Sequence, residues 1–140
     1  LQGSCNAVAN DLNGLLAPIA PARVRGMLHS IPDPDGWYPA LALGGSGEAL
    51  GMVYEAQPHF TPADLARIDA YEDFDPAWPD ASLYLRREVE LLGGGSAQAY
   101  VWNRALPDGA RPIVHGDFRR WLTEEGLEPF RALREARSET

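Results

Sequence analysis

Glycine and proline punctuate this chain at intervals of roughly ten to fifteen residues, a spacing that leaves room for short strands and few long helices. The clusters are Pro32-Asp33-Pro34-Asp35-Gly36, Gly44-Gly45-Ser46-Gly47, Pro76 with Pro79, Gly93-Gly94-Gly95 and Pro107-Asp108-Gly109. Between them, Val24, Gly26 and Leu28 alternate with Arg23, Arg25 and His29, which predicts a strand over 22–31 with a glycine where something approaches closely. Residues 37–43 and 50–56 read as two more strands, joined as a hairpin by the Gly44–Gly47 stretch. A further pair, 83–92 and 97–104, turns around Gly93-Gly94-Gly95.

Helices have fewer places to start. Thr61-Pro62-Ala63-Asp64 supplies a Thr N-cap, a Pro at the first helical position and an acid at the third, predicting a helix that runs to about Asp73. Residues 3–16 are small and polar and then weakly helical, and helical patterns return over 118–124 and 127–137. With no internal repeat and no linker, the 140 residues read as one domain, 1–140, of the α+β class. The expected form is a small, mainly antiparallel curled sheet or barrel with flanking helices.

Charge and cysteine usage narrow the function classes. Twenty acidic residues against twelve basic ones give a formal net charge of -8, and that surface repels phosphate backbones, so no nucleic acid partner is expected. All twelve cations are scattered arginines, and the single Cys makes no intrachain bridge. No apolar run reaches the ~20 residues a bilayer needs, and Leu1-Gln2-Gly3-Ser4 is unlike a signal peptide, so a soluble cytoplasmic protein without membrane contact is expected. His29, His59 and His115 stand far apart and no metal-ligand spacing occurs, so neither metal nor cofactor is expected. Asp33-Pro34-Asp35-Gly36 resembles the start of a calcium loop but lacks the Glu at the twelfth position, which leaves a plain turn.

One carboxylate stands out. Leu65, Ile68 and Glu72 fall at i, i+3 and i+7, so Glu72 shares the face that the two aliphatic side chains bury. Desolvation and the negative end of the helix dipole both disfavour its charged form, raising its pKa towards the range of a general acid or base, unless it faces water from a frayed last turn. Gly3-Ser4-Cys5-Asn6 offers consecutive backbone N–H groups to an anion, or is simply a terminal tract. Cys5 with His115 as base and Asn103 as orienter is a weaker alternative, a buried structural thiol being the usual role of a lone Cys. Trp37, Tyr38, Tyr54, Tyr84, Tyr100 and Trp102 lie on predicted strands, mainly as packing, with the hydroxyls of Tyr38, Tyr84 and Tyr100 able to tip a pocket.

These pieces line up, in order, with a known pattern. The chain resembles the gamma-glutamylcyclotransferase-like superfamily, whose first strand ends in Tyr-Gly-Ser or Tyr-Gly-Thr, where Gly3-Ser4-Cys5-Asn6 stands here. Ala22 to Leu28, Tyr38-Pro39-Ala40-Leu41 and Gly51-Met52-Val53-Tyr54-Glu55 follow, then Ile68-Asp69-Ala70-Tyr71-Glu72-Asp73 in the place of the "l..lD.yEg" helix. Tyr84 to Val89 matches the "Y.R..v" strand, Ala99 to Trp102 the next strand, and Ile113 to Phe118 the "GdW" approach to the last helix. The resemblance runs to about Leu122; Gln2 replaces the Tyr, Asp73 the usual Gly, and only Leu1 precedes Gln2. Residues upstream of Leu1, or a modified terminus, are therefore expected.

What the resemblance implies is a mixed barrel whose mouth binds a small-molecule γ-glutamyl substrate. Glu72 would be the catalytic acid and base, Gly3, Ser4, Cys5 and Asn6 the backbone donors for the α-carboxylate, and Tyr38, Tyr84 and Tyr100 further contacts. The reaction would close 5-oxoproline and release an amine or amino acid. The other reading is a member that binds a small metabolite or a protein without turnover, and a homodimer is compatible with either.

Overall fold

The structure, a computed structural model, describes residues 15–130. Two long strands dominate it: β1 (Leu16–Asp33) and β2 (Gly36–Ala56) pair antiparallel from end to end, interrupted at Ile19 and at Gly44–Gly47. The turn between them is the Pro34-Asp35 pair, where the Asp33 carboxylate accepts the Asp35 N–H at 3.0 Å in an Asx-type turn. The predicted strand over 22–31 is thus the middle of a longer one. Pro18 and Pro21 lie inside β1 because their missing N–H groups are tolerated beside the Pro18/Ala20 bulge and on a stretch with no second neighbour among the described residues.

The predicted hairpin through Gly44–Gly47 is corrected. Residues 37–43 and 50–56 do not pair with one another; both belong to β2 and both pair with β1. Arg25 opposes Glu48 whereas Gly26 opposes Leu43, so Gly44–Gly47 loop out as a wide bulge rather than reversing the chain. Gly44 and Gly45 take φ of +95° and +75°, which side chains resist. Gly26 is where strands close up as anticipated, since a Cβ there would stand 2.6 Å from the Ala42 carbonyl oxygen.

β3 (Tyr84–Glu90) and β4 (Ser96–Trp102) form the second antiparallel sheet around the glycine turn, as predicted. A Val24–Leu91 bridge and the Leu92 N–H to Arg23 carbonyl bond, 2.9 Å, stitch it to β1. β5 (Arg111–Ile113), a short strand absent from the sequence reading, adds to the other side of β1 at Leu28–Ser30. The class is α+β with mostly antiparallel sheets, and among the described residues the strands make two linked sheets rather than one closed barrel.

Both helices start as their caps dictate. α1 (Pro62–Tyr71) opens on a reciprocal capping box, with the Thr61 hydroxyl accepting the Asp64 N–H at 3.2 Å and the Asp64 carboxylate accepting the Thr61 N–H at 2.9 Å. α2 (Phe118–Glu125) is capped by Asp117 and stops at Gly126 in the left-handed conformation. The helix predicted over 127–137 does not continue from it: the Gly126 cap turns the chain away, and 128–130 pair with Trp37 through bonds of 3.0 and 2.7 Å. The remainder of that span lies outside the described residues. The main core gathers Leu28, Leu41, Ala49, Val89, Val101, Ile113, Trp121 and Leu122 between the two sheets and α2. Ile68 of α1 and Tyr100 of β4 form a second cluster, and that is where the chemistry-bearing side chains meet.

Candidate active site

The face of β3–β4 that meets α1 is set by strand register. Arg86 opposes Tyr100 and Tyr84 opposes Trp102, so these four side chains, at alternate positions of each strand, lie together. Across from them α1 presents Ile68 and Asp69, both buried. Asp69 is held from the sheet: its Oδ1 accepts from Arg86 Nε at 2.9 Å and from the Tyr100 hydroxyl at 2.5 Å, and its Oδ2 accepts from Arg86 Nη2 at 3.4 Å. A buried carboxylate needs this kind of pairing, because desolvating it alone would cost several kcal/mol.

Glu72 caps the C-terminus of α1, its N–H bonded back to the Ile68 carbonyl at 3.0 Å. It is half-buried, not facing open water. Removal of water from around the carboxyl pushes its pKa up to about 7, the direction anticipated from its place beside Leu65 and Ile68. No hydrogen bond to this carboxylate comes from the described residues, and burial outweighs the opposing positive charge of the chain's N-terminus. Tyr84, whose hydroxyl donates to the Pro39 carbonyl at 2.8 Å, has its phenol pushed up by burial first and then by the charge of Glu72. Tyr100 is pushed up by burial, by its bond to Asp69 and by the charges of Asp69 and Glu72. Tyr38 of β2 is raised by burial and by Asp33, and stacks near Trp102 and Phe130 with ring centroids 6.3 and 6.1 Å away.

Four of the residues singled out from sequence, Glu72, Tyr38, Tyr84 and Tyr100, therefore converge. Gly3, Ser4, Cys5 and Asn6 lie outside the described residues. The hydroxyl protons of Tyr84 and Tyr100 are already donated to protein oxygens, which leaves lone pairs to meet a ligand. The His115–Asn103 half of the alternative triad is not assembled. His115 Nε2 meets Glu124 at 2.9 Å and its Nδ1 accepts the Asp117 N–H, while the Asn103 amide donates to the Pro79 and Ser82 carbonyls, both at 2.9 Å. Those Asn103 bonds instead pin the 75–82 loop, together with Arg104 donating to the Asp80 and Ala81 carbonyls.

Asp69 and Arg86 were not singled out as site residues by sequence reasoning. The signal was an acid on the buried face of α1, three residues before Glu72, but its cation lies seventeen residues further along on another element. A cavity of about 480 Å³ opens beside this network, lined mainly by aliphatic side chains such as Val24, Leu41, Leu65 and Val89, with Arg86 and Tyr100 on its polar side. Glu72 is not part of its described lining. Among the described residues no three His, Cys, Asp or Glu side chains gather as a metal site, and no helix is long and apolar enough to cross a membrane.

Comparison with known proteins bears on the family and the fold. A family model described as gamma-glutamyl cyclotransferase, AIG2-like matches residues 1–120. No curated protein matches the chain. An uncharacterized protein from Pyrococcus horikoshii has a similar structure, with TM-score 0.58 and 18% identity over 86% of this chain and 85% of that one. A uropathogenic E. coli-specific protein gives TM-score 0.58 and 13% identity over 83% and 84% of the two chains. Kluyveromyces lactis allophanate hydrolase contains a similar unit, with TM-score 0.63 and 14% identity over 84% of this chain but 19% of that larger one. At these identities the likeness is one of fold.

Proposed function

Since the chain belongs to the gamma-glutamyl cyclotransferase, AIG2-like family, we propose that it releases 5-oxoproline from a γ-glutamyl amine or γ-glutamyl amino acid, with Glu72 as general acid and base. The observation that carries this reading is the Glu72 carboxyl, desolvated at the end of α1 with its pKa near 7 and beside Tyr84. A carboxyl so poised takes and returns a proton at neutral pH, which one in open water does poorly.

In the proposed reaction the ionised Glu72 takes a proton from the substrate α-ammonium. The freed amine attacks the γ-carbonyl carbon of its own chain, forming the ring C–N bond. Collapse of the tetrahedral intermediate breaks the original amide C–N bond as Glu72 returns its proton to the departing nitrogen, and the second proton of the former ammonium passes from the ring nitrogen through the same carboxylate to the released amine, so that 5-oxoproline keeps one N–H and the amine leaves as an ammonium. No covalent bond to the protein forms. Folding the glutamyl chain back on itself is mainly an entropic barrier, and the proposed holding groups are the backbone N–H groups of Gly3, Ser4, Cys5 and Asn6 on the α-carboxylate. Tyr38, Tyr84 and Tyr100 would wall the reacting end, with Tyr84 and Tyr100 accepting rather than donating hydrogen bonds.

The alternative, a small-molecule-binding member without turnover, draws on the apolar cavity whose described lining does not include Glu72. A panel of γ-glutamyl amines, γ-glutamyl dipeptides and glutathione, assayed for 5-oxoproline beside Glu72→Gln, separates the two. Release that vanishes in the folded variant supports the enzyme and identifies its leaving group. Silence across the panel from the folded protein, or turnover undiminished in the variant, refutes the proposed role of Glu72.

A further inference from the structure

The direction of two hydrogen bonds decides what the surroundings of Glu72 can receive. A phenol has one proton to give and two lone pairs to offer. Tyr84 gives its proton to the Pro39 carbonyl at 2.8 Å, and Tyr100 gives its own to Asp69 Oδ1 at 2.5 Å. Neither a carbonyl nor a carboxylate oxygen can donate in return, so each phenol is left with acceptor capacity only. Both rings belong to the cluster built on Ile68, whose carbonyl accepts the Glu72 N–H at 3.0 Å. The charge of Glu72 acts on both phenols, so the carboxylate lies within electrostatic reach of each.

The other charges there are accounted for. Asp69 and Arg86, which act on Tyr100, hold each other through Arg86 Nε at 2.9 Å and Nη2 at 3.4 Å. Asp73, next in the chain after Glu72, is not among the charges acting on either phenol. The positive charge acting on Glu72 comes from the chain's N-terminus and from no described side chain. What remains is a carboxylate, two phenol oxygens that can only accept, and aromatic faces, Trp102 standing 5.3 Å from Tyr84 and 6.3 Å from Tyr38 between ring centroids. An anion would meet only lone pairs here. A primary ammonium brings a positive charge and three N–H donors, one for each acceptor, and aromatic faces favour it too.

We infer that Tyr84 and Tyr100 are specificity-determining residues fixed as acceptors, which with the Glu72 carboxylate form a subsite for an unsubstituted primary ammonium, the α-amine end of a γ-glutamyl substrate. This deepens the proposed function and rests on it. The Pro39 carbonyl and Asp69 act through the phenols, as positioning groups that take up their protons. The substrate class is thereby narrowed to γ-glutamyl compounds with a free α-ammonium, and an N-methyl group there removes one of the three bonds.

The test uses L-norvaline, which has the glutamyl skeleton without the γ-carbonyl and so cannot turn over, with pentanoate as its desamino counterpart and N-methyl-L-norvaline as the secondary ammonium. Binding to the full chain is followed by NMR titration at about pH 8, above the Glu72 midpoint of about 7. L-norvaline should bind at least about tenfold tighter than pentanoate, with N-methyl-L-norvaline between them, the size expected of hydrogen bonds to a charged group. Tyr84→Phe and Tyr100→Phe should each weaken L-norvaline by about tenfold while changing pentanoate by no more than about twofold. L-norvaline that binds no tighter than pentanoate overturns the inference, as do folded variants that lose both ligands alike or keep the full preference. Should Tyr100→Phe not fold, Tyr84→Phe decides, and should neither fold, N-methyl-L-norvaline binding the wild type as tightly as L-norvaline overturns the subsite. Because these probes are inert, a protein that shows this pattern yet releases no 5-oxoproline refutes the cyclotransferase reading alone. One that releases 5-oxoproline but lacks the pattern refutes the subsite alone.

Discussion

Glu72→Gln provides a test of the site that needs no substrate. In the folded chain the carboxyl is held at about 7 against an ordinary 4.5, so between these values the native state keeps a proton that the unfolded chain has lost. Stability contributed by this group is complete below about pH 4.5 and is lost as pH rises through about 7. At 1.36 kcal/mol per pH unit the interval corresponds to about 3 kcal/mol, an upper bound because Glu72 retains some solvent contact. Glutamine has the shape but not the charge, so the variant escapes this loss. Urea denaturation followed by tryptophan fluorescence at pH 4.5, 6, 7 and 8.5 should show the variant gaining on the wild type by about 2–3 kcal/mol across the series. Taking the difference between the two proteins cancels the other carboxylates. A gap that is constant to within about 0.5 kcal/mol, or that widens towards acid, would refute the assignment of a desolvated carboxyl at the end of α1.

Three further outcomes follow from the structure. For the proposed reaction, kcat/KM should rise with pH through about 7 as Glu72 ionises, and a pH–rate profile lacking that limb contradicts its role as base. Tyr100→Phe removes the 2.5 Å bond to Asp69, and chemical denaturation should register a loss of about 1.5–3 kcal/mol, as expected for a hydrogen bond to a charged group. Gly116→Ala should cost at least about 2 kcal/mol in the same assay, because its Cβ would fall 1.8 Å from the Glu48 carbonyl oxygen at a φ of +75°, whereas Gly93→Ala, which meets nothing within 4 Å, should change stability by no more than about 0.5 kcal/mol.

Local rules read directly from the chain held where the local chemistry was self-sufficient. The capping box at Thr61, the glycine turn between β3 and β4, the close approach at Gly26 and the acid on the apolar face of α1 each depend on residues within a few positions of one another. Partner choice between distant segments was a different matter. The Gly44–Gly47 stretch has the composition of a hairpin loop, yet it bulges, because β1 is long enough to pair with the chain on both sides of it and burying one continuous strand pair outweighs two short ones. The pattern over 127–137 looked helical, yet 127–130 are not helical: the Gly126 cap ends α2 and the Trp37 backbone offers 128–130 two hydrogen bonds. At the site the same division holds. The position of Glu72 on its helix predicted a raised pKa, since periodicity alone decides which face a residue shares. That Asp69 is neutralised by Arg86, and that Tyr38, Tyr84 and Tyr100 gather around the end of α1, depended on strand register and on packing between elements far apart in the chain. Sequence determines which side chains can line one face; only the tertiary fold determines which faces meet, because charge pairing and desolvation act through space and not along the chain.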